Sequence, residues 1–106
     1  MHEILEYAQF ALKPGVSDDQ LQAAAEALNE GFLKQQPGYL RRELVKLEGR
    51  SYADLIWWRS HDEASAAMER AMKSPACATY FGIMEFNADN PDEGVKHYAL
   101  VARYGT

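Results

Sequence analysis

Cysteine is nearly absent from this sequence. Cys77 stands alone among 106 residues, so no internal disulfide can form. It has no basic neighbour in sequence to lower its pKa, and a buried, inert thiol is expected. Metal-ligand spacings are missing too: there is no C-x-x-C and no H-E-x-x-H, and the acids from Glu85 to Glu93 are too irregularly placed for an EF-hand loop. Neither a metal nor an organic cofactor is therefore expected. No apolar run approaches the roughly 20 residues of a membrane-spanning helix. Clustered positive charge is also lacking. Lys and Arg number 11 against 16 acids, the net charge is −5, and Arg41-Arg42 is the one adjacent basic pair, which excludes a nucleic-acid footprint. The opening residues, MHEILEYAQF, have no basic n-region and no small-residue cleavage site, so a cytoplasmic location is expected.

What remains is ordinary globular composition, 47% hydrophobic and 25% charged. The length suits one domain, residues 1–106, with room for a core but none for a second, cofactor-binding unit.

Apolar residues alternate from Glu3 to Leu12 in both phases, which reads as a central strand. Pro14-Gly15 ends it, and Ser17 with Gln20 forms a capping box for a helix whose stripe is Leu21, Ala24, Ala25, Leu28 and Phe32. Pro37-Gly38 stops that helix. Tyr39–Leu47 and Tyr52–Arg59 read as two strands joined by a hairpin at Glu48-Gly49-Arg50-Ser51. With Gly49-Arg50 as a two-residue turn, Arg41 lies opposite Trp58, Glu43 opposite Ile56 and Val45 opposite Asp54. Ser60 and Glu63 repeat the capping-box pattern and open a helix to about Lys73; Ser74-Pro75 starts a short third helix. A polar link from Asn87 to Gly94 leads to a last strand, Val95–Tyr104.

The predicted order is β-α-β-β-α-(α)-β. That is an α+β, ferredoxin-like split β-α-β plan, a four-stranded antiparallel sheet with helices on one face. Trp57 and Trp58 are adjacent on a strand, so their side chains point to opposite faces. Helices cover one face; an apolar second face calls for a further cover, either more of this chain or another copy of it, and Trp57 is the expected contact if it is a copy.

Three places carry a likeness to a known family. They are the strand-to-helix turn FALKPG, the segment QPGY with Glu43 five residues after Gly38, and WRS at Trp58. In these the chain resembles the antibiotic-biosynthesis-monooxygenase-like domains of the dimeric α/β-barrel superfamily, over nearly its whole length. The resemblance implies a homodimer whose sheets meet face to face, with a pocket in each protomer between sheet and helices. It also implies a class that includes cofactor-free oxygenases, haem-degrading enzymes, lactone isomerases and proteins of no known reaction. Trp58 matches the pocket-lining tryptophan at the strand end. Ile56 stands where an acid is common, Met68 where many members carry a histidine, and Ala8 and Phe81 where the haem-degrading members carry asparagine and histidine, which argues against haem oxygenation.

Each candidate residue has two readings. Trp58 is a stacking wall for a flat ligand, or a core tryptophan with its N–H satisfied. Arg41, Glu43 and Asp54, placed on the Trp58 face by the predicted register, are an internal ion-pair network, or a polar corner in which Arg41 holds a ligand oxygen and Glu43 or Asp54 takes a proton. His97 is the natural general base, or a histidine satisfied at the interface edge. Tyr80, Phe81 and Met84 form the pocket's lid or plain core. Three functions follow: a cofactor-independent monooxygenase acting on a small hydrophobic, aromatic molecule, with His97, Glu43 or Asp54 as base and Trp58, Arg41, Tyr80 and Phe81 binding substrate; a non-catalytic binding protein with the same pocket; or a structural dimer with a filled core.

Overall fold

The computed structural model describes residues 2–85 and 94–105; the predicted Asn87–Gly94 link falls almost entirely outside them. The chain runs β1 (Ile4–Leu12), α1 (Asp18–Gly31), a 3-10 turn (Leu33–Gln35), β2 (Tyr39–Lys46), β3 (Ser51–Trp58), α2 (His61–Ala71), α3 (Pro75–Phe81), β4 (Met84–Glu85) and β5 (Gly94–Ala99). The architecture is α+β, an antiparallel sheet in the order β2-β3-β1-β4, with β5 also paired to β1.

Local chemistry accounts for each helix start. Ser17 Oγ accepts from the Gln20 N–H while the Gln20 side chain accepts from the Ser17 N–H, a complete capping box. Ser60 Oγ accepts from the Glu63 N–H, but the return bond is missing because the Glu63 carboxylate binds Arg59 and the Ser60 hydroxyl instead. Ser74 caps α3 ahead of Pro75.

The sheet departs from expectation in two ways. β4 and β5 occupy successive stretches of one edge of β1: Ala11 and Leu12 pair with Glu85 and Met84, and Ile4–Gln9 pair with Gly94–Ala99. The predicted fourth strand is thus split, and β4 was not anticipated because two residues carry no readable period. β5 also stops at Ala99 rather than Tyr104. The Leu100 N–H donates to Glu3 O at 2.8 Å, one residue beyond each strand's end.

The β2–β3 register overturns the predicted one. Tyr39 lies opposite Trp58, Arg41 opposite Trp57, Arg42 opposite Ile56 and Leu44 opposite Asp54, with an irregularity between Tyr39 and Arg41. Leu47 and Ser51 close a three-residue connection, Glu48-Gly49-Arg50, with Gly49 at φ 61°. One residue more in the turn moves every side chain of β2 from Arg41 onward to the other face, while the irregularity keeps Tyr39 on the Trp58 side. Arg42, not Arg41, therefore points toward the helices.

Behind that face lies the core. Trp58, Phe10, Leu12, Leu21 and Cys77 are its largest fully buried side chains.

Candidate functional site

An apolar cavity of about 190 Å³ lies between the sheet and the helices. Its floor is formed by Glu6, Ala8 and Phe10 of β1 and by Asp54, Ile56 and Trp58 of β3, the residues whose period of two turns them toward the helices. Helices α2 and α3 close it from above. Met68, Met72, Phe81 and Val95 are the lining residues most open to solvent and mark its mouth.

Two polar groups on the floor have opposite characters. Asp54, 3% exposed, accepts from Arg42 Nε at 2.6 Å and from the second Arg42 arm at 2.9 Å, and the Tyr80 hydroxyl donates to it at 2.6 Å. Arg42 spends its remaining arm on the Ala25 carbonyl of α1 at 2.7 Å. These buried charges are fully partnered, which is the condition for holding them in a dry interior. Burial, with the Asp54 charge beside it, pushes the Tyr80 phenol far up. The Asp54 carboxylate thus ties β2 and α3 to β3 through three donated hydrogen bonds.

Glu6 is the other. Its Oε1 accepts from Trp58 Nε1 at 3.2 Å and lies 3.6 Å from His97 Nε2; among the described residues no Lys or Arg pairs with it. Burial is the largest cause raising its pKa and the Asp54 charge adds to it; the Trp58 hydrogen bond and Arg42 pull the other way, and the pKa stands at about 7. A carboxyl poised near neutrality can accept and return a proton at physiological pH. His97 sits opposite Glu6 in the ladder, on the same face, so it belongs to the helix side of the sheet. Burial, reinforced by His61, lowers its pKa. His97 does not itself line the cavity.

Trp58, 1% exposed, combines its two sequence readings: the N–H is satisfied by Glu6 and the ring faces the cavity, with Tyr39 edge-on at 6.0 Å behind it. Tyr80 and Phe81 line the cavity as well. Arg41 and Glu43 do not. The register places them on the helix-free face around Trp57, whose Nε1 donates to Glu43 Oε1 at 2.9 Å and whose ring lies 5.0 Å from the Arg41 guanidinium carbon. The expected cluster of Arg41, Glu43 and Asp54 beside Trp58 is thus corrected to Arg42, Asp54 and Tyr80, because the turn is one residue longer than assumed.

Glu6 escaped the sequence reading although a signal existed. It is the one charged residue in the inward phase Ile4, Glu6, Ala8, Phe10, Leu12. Burial raises the Cys77 thiol pKa, as expected for an inert cysteine in the wall. Among the described residues no three His, Cys, Asp or Glu side chains gather to hold a metal ion, and no helix is long and apolar enough to cross a membrane.

No family model matches the chain, and no curated protein matches it significantly. Solved structures do. SnoaB, a cofactor-independent oxygenase from Streptomyces nogalater, superposes with a TM-score of 0.66 at 18% identity, covering 99% of this chain and 97% of that one. A Bordetella bronchiseptica protein assigned to the antibiotic biosynthesis monooxygenases gives 0.67 at 17% identity, over 96% and 100%. The heme-degrading protein Rv3592 from Mycobacterium tuberculosis gives 0.60 at 13% identity, over 97% and 99%. At these identities the likeness is one of fold.

Proposed function

We propose that this chain, which has the fold of the antibiotic-biosynthesis-monooxygenase-like domains, acts as a cytoplasmic homodimer that binds a small aromatic molecule in its cavity and oxygenates it without metal or organic cofactor. The observation that carries the reading is the Glu6 carboxyl, with a pKa of about 7, in the wall of a mainly apolar cavity against Trp58. The size of the space narrows the ligand. An apolar cavity of about 150 Å³ takes one benzene, so 190 Å³ suits one or two fused rings.

In the proposed chemistry the ring lies against Trp58 and presents a phenolic O–H or an acidic ring CH₂ to Glu6. Glu6 removes the proton, and the electron-rich anion reduces dioxygen directly. For a CH₂ centre the sum is CH₂ plus O₂ giving a carbonyl and water, with Glu6 returning its proton to the departing oxygen. Excluding water from the apolar wall favours the carbon–oxygen step over side reactions.

A second reading is favoured by the partnering of Asp54 and the placement of Arg41 and Glu43 on the other face, which among the described residues leaves Glu6 as the one cavity-lining carboxyl without a Lys or Arg partner: the protein binds such molecules and does not transform them.

The test uses a Trp57→Phe protein, in which Trp58 is the sole tryptophan. Phenols of one, two and three fused rings are titrated by quenching of its fluorescence, with oxygen uptake followed in parallel. The proposal expects one- and two-ring phenols to bind, three-ring phenols to bind at least about tenfold more weakly, and Glu6→Gln to cut oxygen uptake by about 10²-fold or more. Binding without uptake selects the second reading; no binding of any member rejects both.

A further inference from the structure

His97 Nε2 is shut off from solvent and has no hydrogen-bond partner among the described residues. Buried polar atoms are nearly always partnered, and an exception asks for a reason. The atom lies 3.6 Å from Glu6 Oε1, about half an ångström beyond an ordinary hydrogen bond, and the two residues are directly opposed on the β1–β5 ladder. A small side-chain rotation closes the gap. Glu6 lines the cavity while His97 stands behind it, keeping 22% of its side-chain surface exposed. Beyond His97 is the exposed His61 at the start of α2, its ring centroid 6.0 Å away and its plane inclined by 61°.

We propose that Glu6 and His97 share one proton, and that His97 is the outlet through which a proton taken up by Glu6 reaches solvent. The proton passes from the Glu6 carboxyl oxygen to His97 Nε2, leaving a carboxylate against an imidazolium. The imidazolium then gives up a proton to water on the His61 side, and Glu6 is again a base. No electrons move. Among the described residues the groups that bear on the pair are Asp54 on β3, Arg42 on β2, His61 on α2 and the Trp58 N–H. His97 thus acts through Glu6 and does not touch a ligand. The inference depends on the cavity reading only for the source of the proton; the pairing exists without any ligand.

The test is an NMR pH titration of the empty protein, following the Glu6 side-chain carbon and the His97 ring nitrogens. A shared proton gives two macroscopic steps, each seen at the same midpoints by both probes. His97→Gln then collapses the Glu6 curve to one step and moves its midpoint by about one pH unit or more. Separate single steps in the wild-type protein overturn the proposal, and so does a Glu6 curve unchanged by His97→Gln. Because the wild-type titration decides the matter by itself, poor folding of the variant does not obscure it. If oxygen uptake is observed, His97→Gln should leave phenol affinity within about twofold, lower the turnover rate, and be rescued by free imidazole acting as a substitute proton carrier. Loss of affinity instead of rate would mark His97 as packing alone. Shared titration in a protein that binds no phenol would keep the pair and discard the cavity reading.

Discussion

Glu6 concentrates the electrostatic strain of the molecule, and it sets a pH dependence of stability. Its carboxyl, ordinarily at 4.5, is pushed by burial to about 7 in the folded chain. Between those values the folded state holds a proton that the unfolded state releases, so stability falls as pH climbs through the window. The penalty is absent below about 4.5 and complete above about 7, on the order of 3 kcal/mol for a shift of this size. His97 works in the opposite sense, since a histidine whose pKa is lowered by burial loses stability as pH falls below its ordinary 6.5. Comparing proteins that both keep His97 reads the Glu6 carboxyl together with its coupling to that histidine. Glu6→Gln should match wild type in urea midpoint near pH 4 and exceed it near pH 8; a difference independent of pH would show that burial of Glu6 carries no such cost. At this scale Trp58 was legible from its strand-end position, whereas Glu6 passed as one acid in an amphipathic strand. Its importance comes from β3 and β5 closing around it, and neither pairing can be read from β1 alone.

Gly38 governs the junction between α1 and β2. Its φ is 85°, and a Cβ there would lie 2.5–2.7 Å from the Glu63 side chain. Its carbonyl also accepts from the Arg59 N–H at 2.8 Å, fixing the start of β2 against the end of β3. Gly38→Ala combines a left-handed backbone with a contact that displaces Glu63 from Arg59 and Ser60. The strain alone is about 1–2 kcal/mol, so a lower thermal midpoint is expected; an unchanged one would mean that the junction relaxes freely. Helix starts, the four longer strands and their order were visible in sequence, because caps, proline-glycine breaks and hydrophobic periods are local. The β2–β3 register was not. Glu48-Gly49-Arg50-Ser51 is compatible with a turn of two or three residues, and the choice is settled by which of Arg41 and Arg42 finds the buried Asp54. The split of the last strand was hidden for a related reason: Met84-Glu85 gains its partner from β1, not from its own pattern.

For the whole molecule the open question is what covers the second face. Arg41, Trp57, Leu5 and Tyr98 form one row across the helix-free side, with Glu43, Leu55, Tyr7 and Lys96 in the next. Arg103 brings a second guanidinium to 5.0 Å from the Trp57 ring. Aromatic groups flanked by arginine are the usual anchors of protein interfaces. Trp57→Glu should therefore weaken self-association at least about tenfold in sedimentation while leaving the cavity residues in place, and Trp58→Ala should leave association unchanged. A monomeric Trp58→Ala protein, or a wild-type monomer, would refute this assignment of faces. On the helix-covered side, the Asp54 carboxylate ties together β2 and α3, and through Arg42 also α1, around β3. The opposite wall ends in Met68 and Met72, unbranched thioethers with free surface. Such a chamber has one incompressible end and one compliant end. It would select guests by the width of the ring system while forgiving tail length, so that substituents trailing past the methionines would change residence time more than recognition.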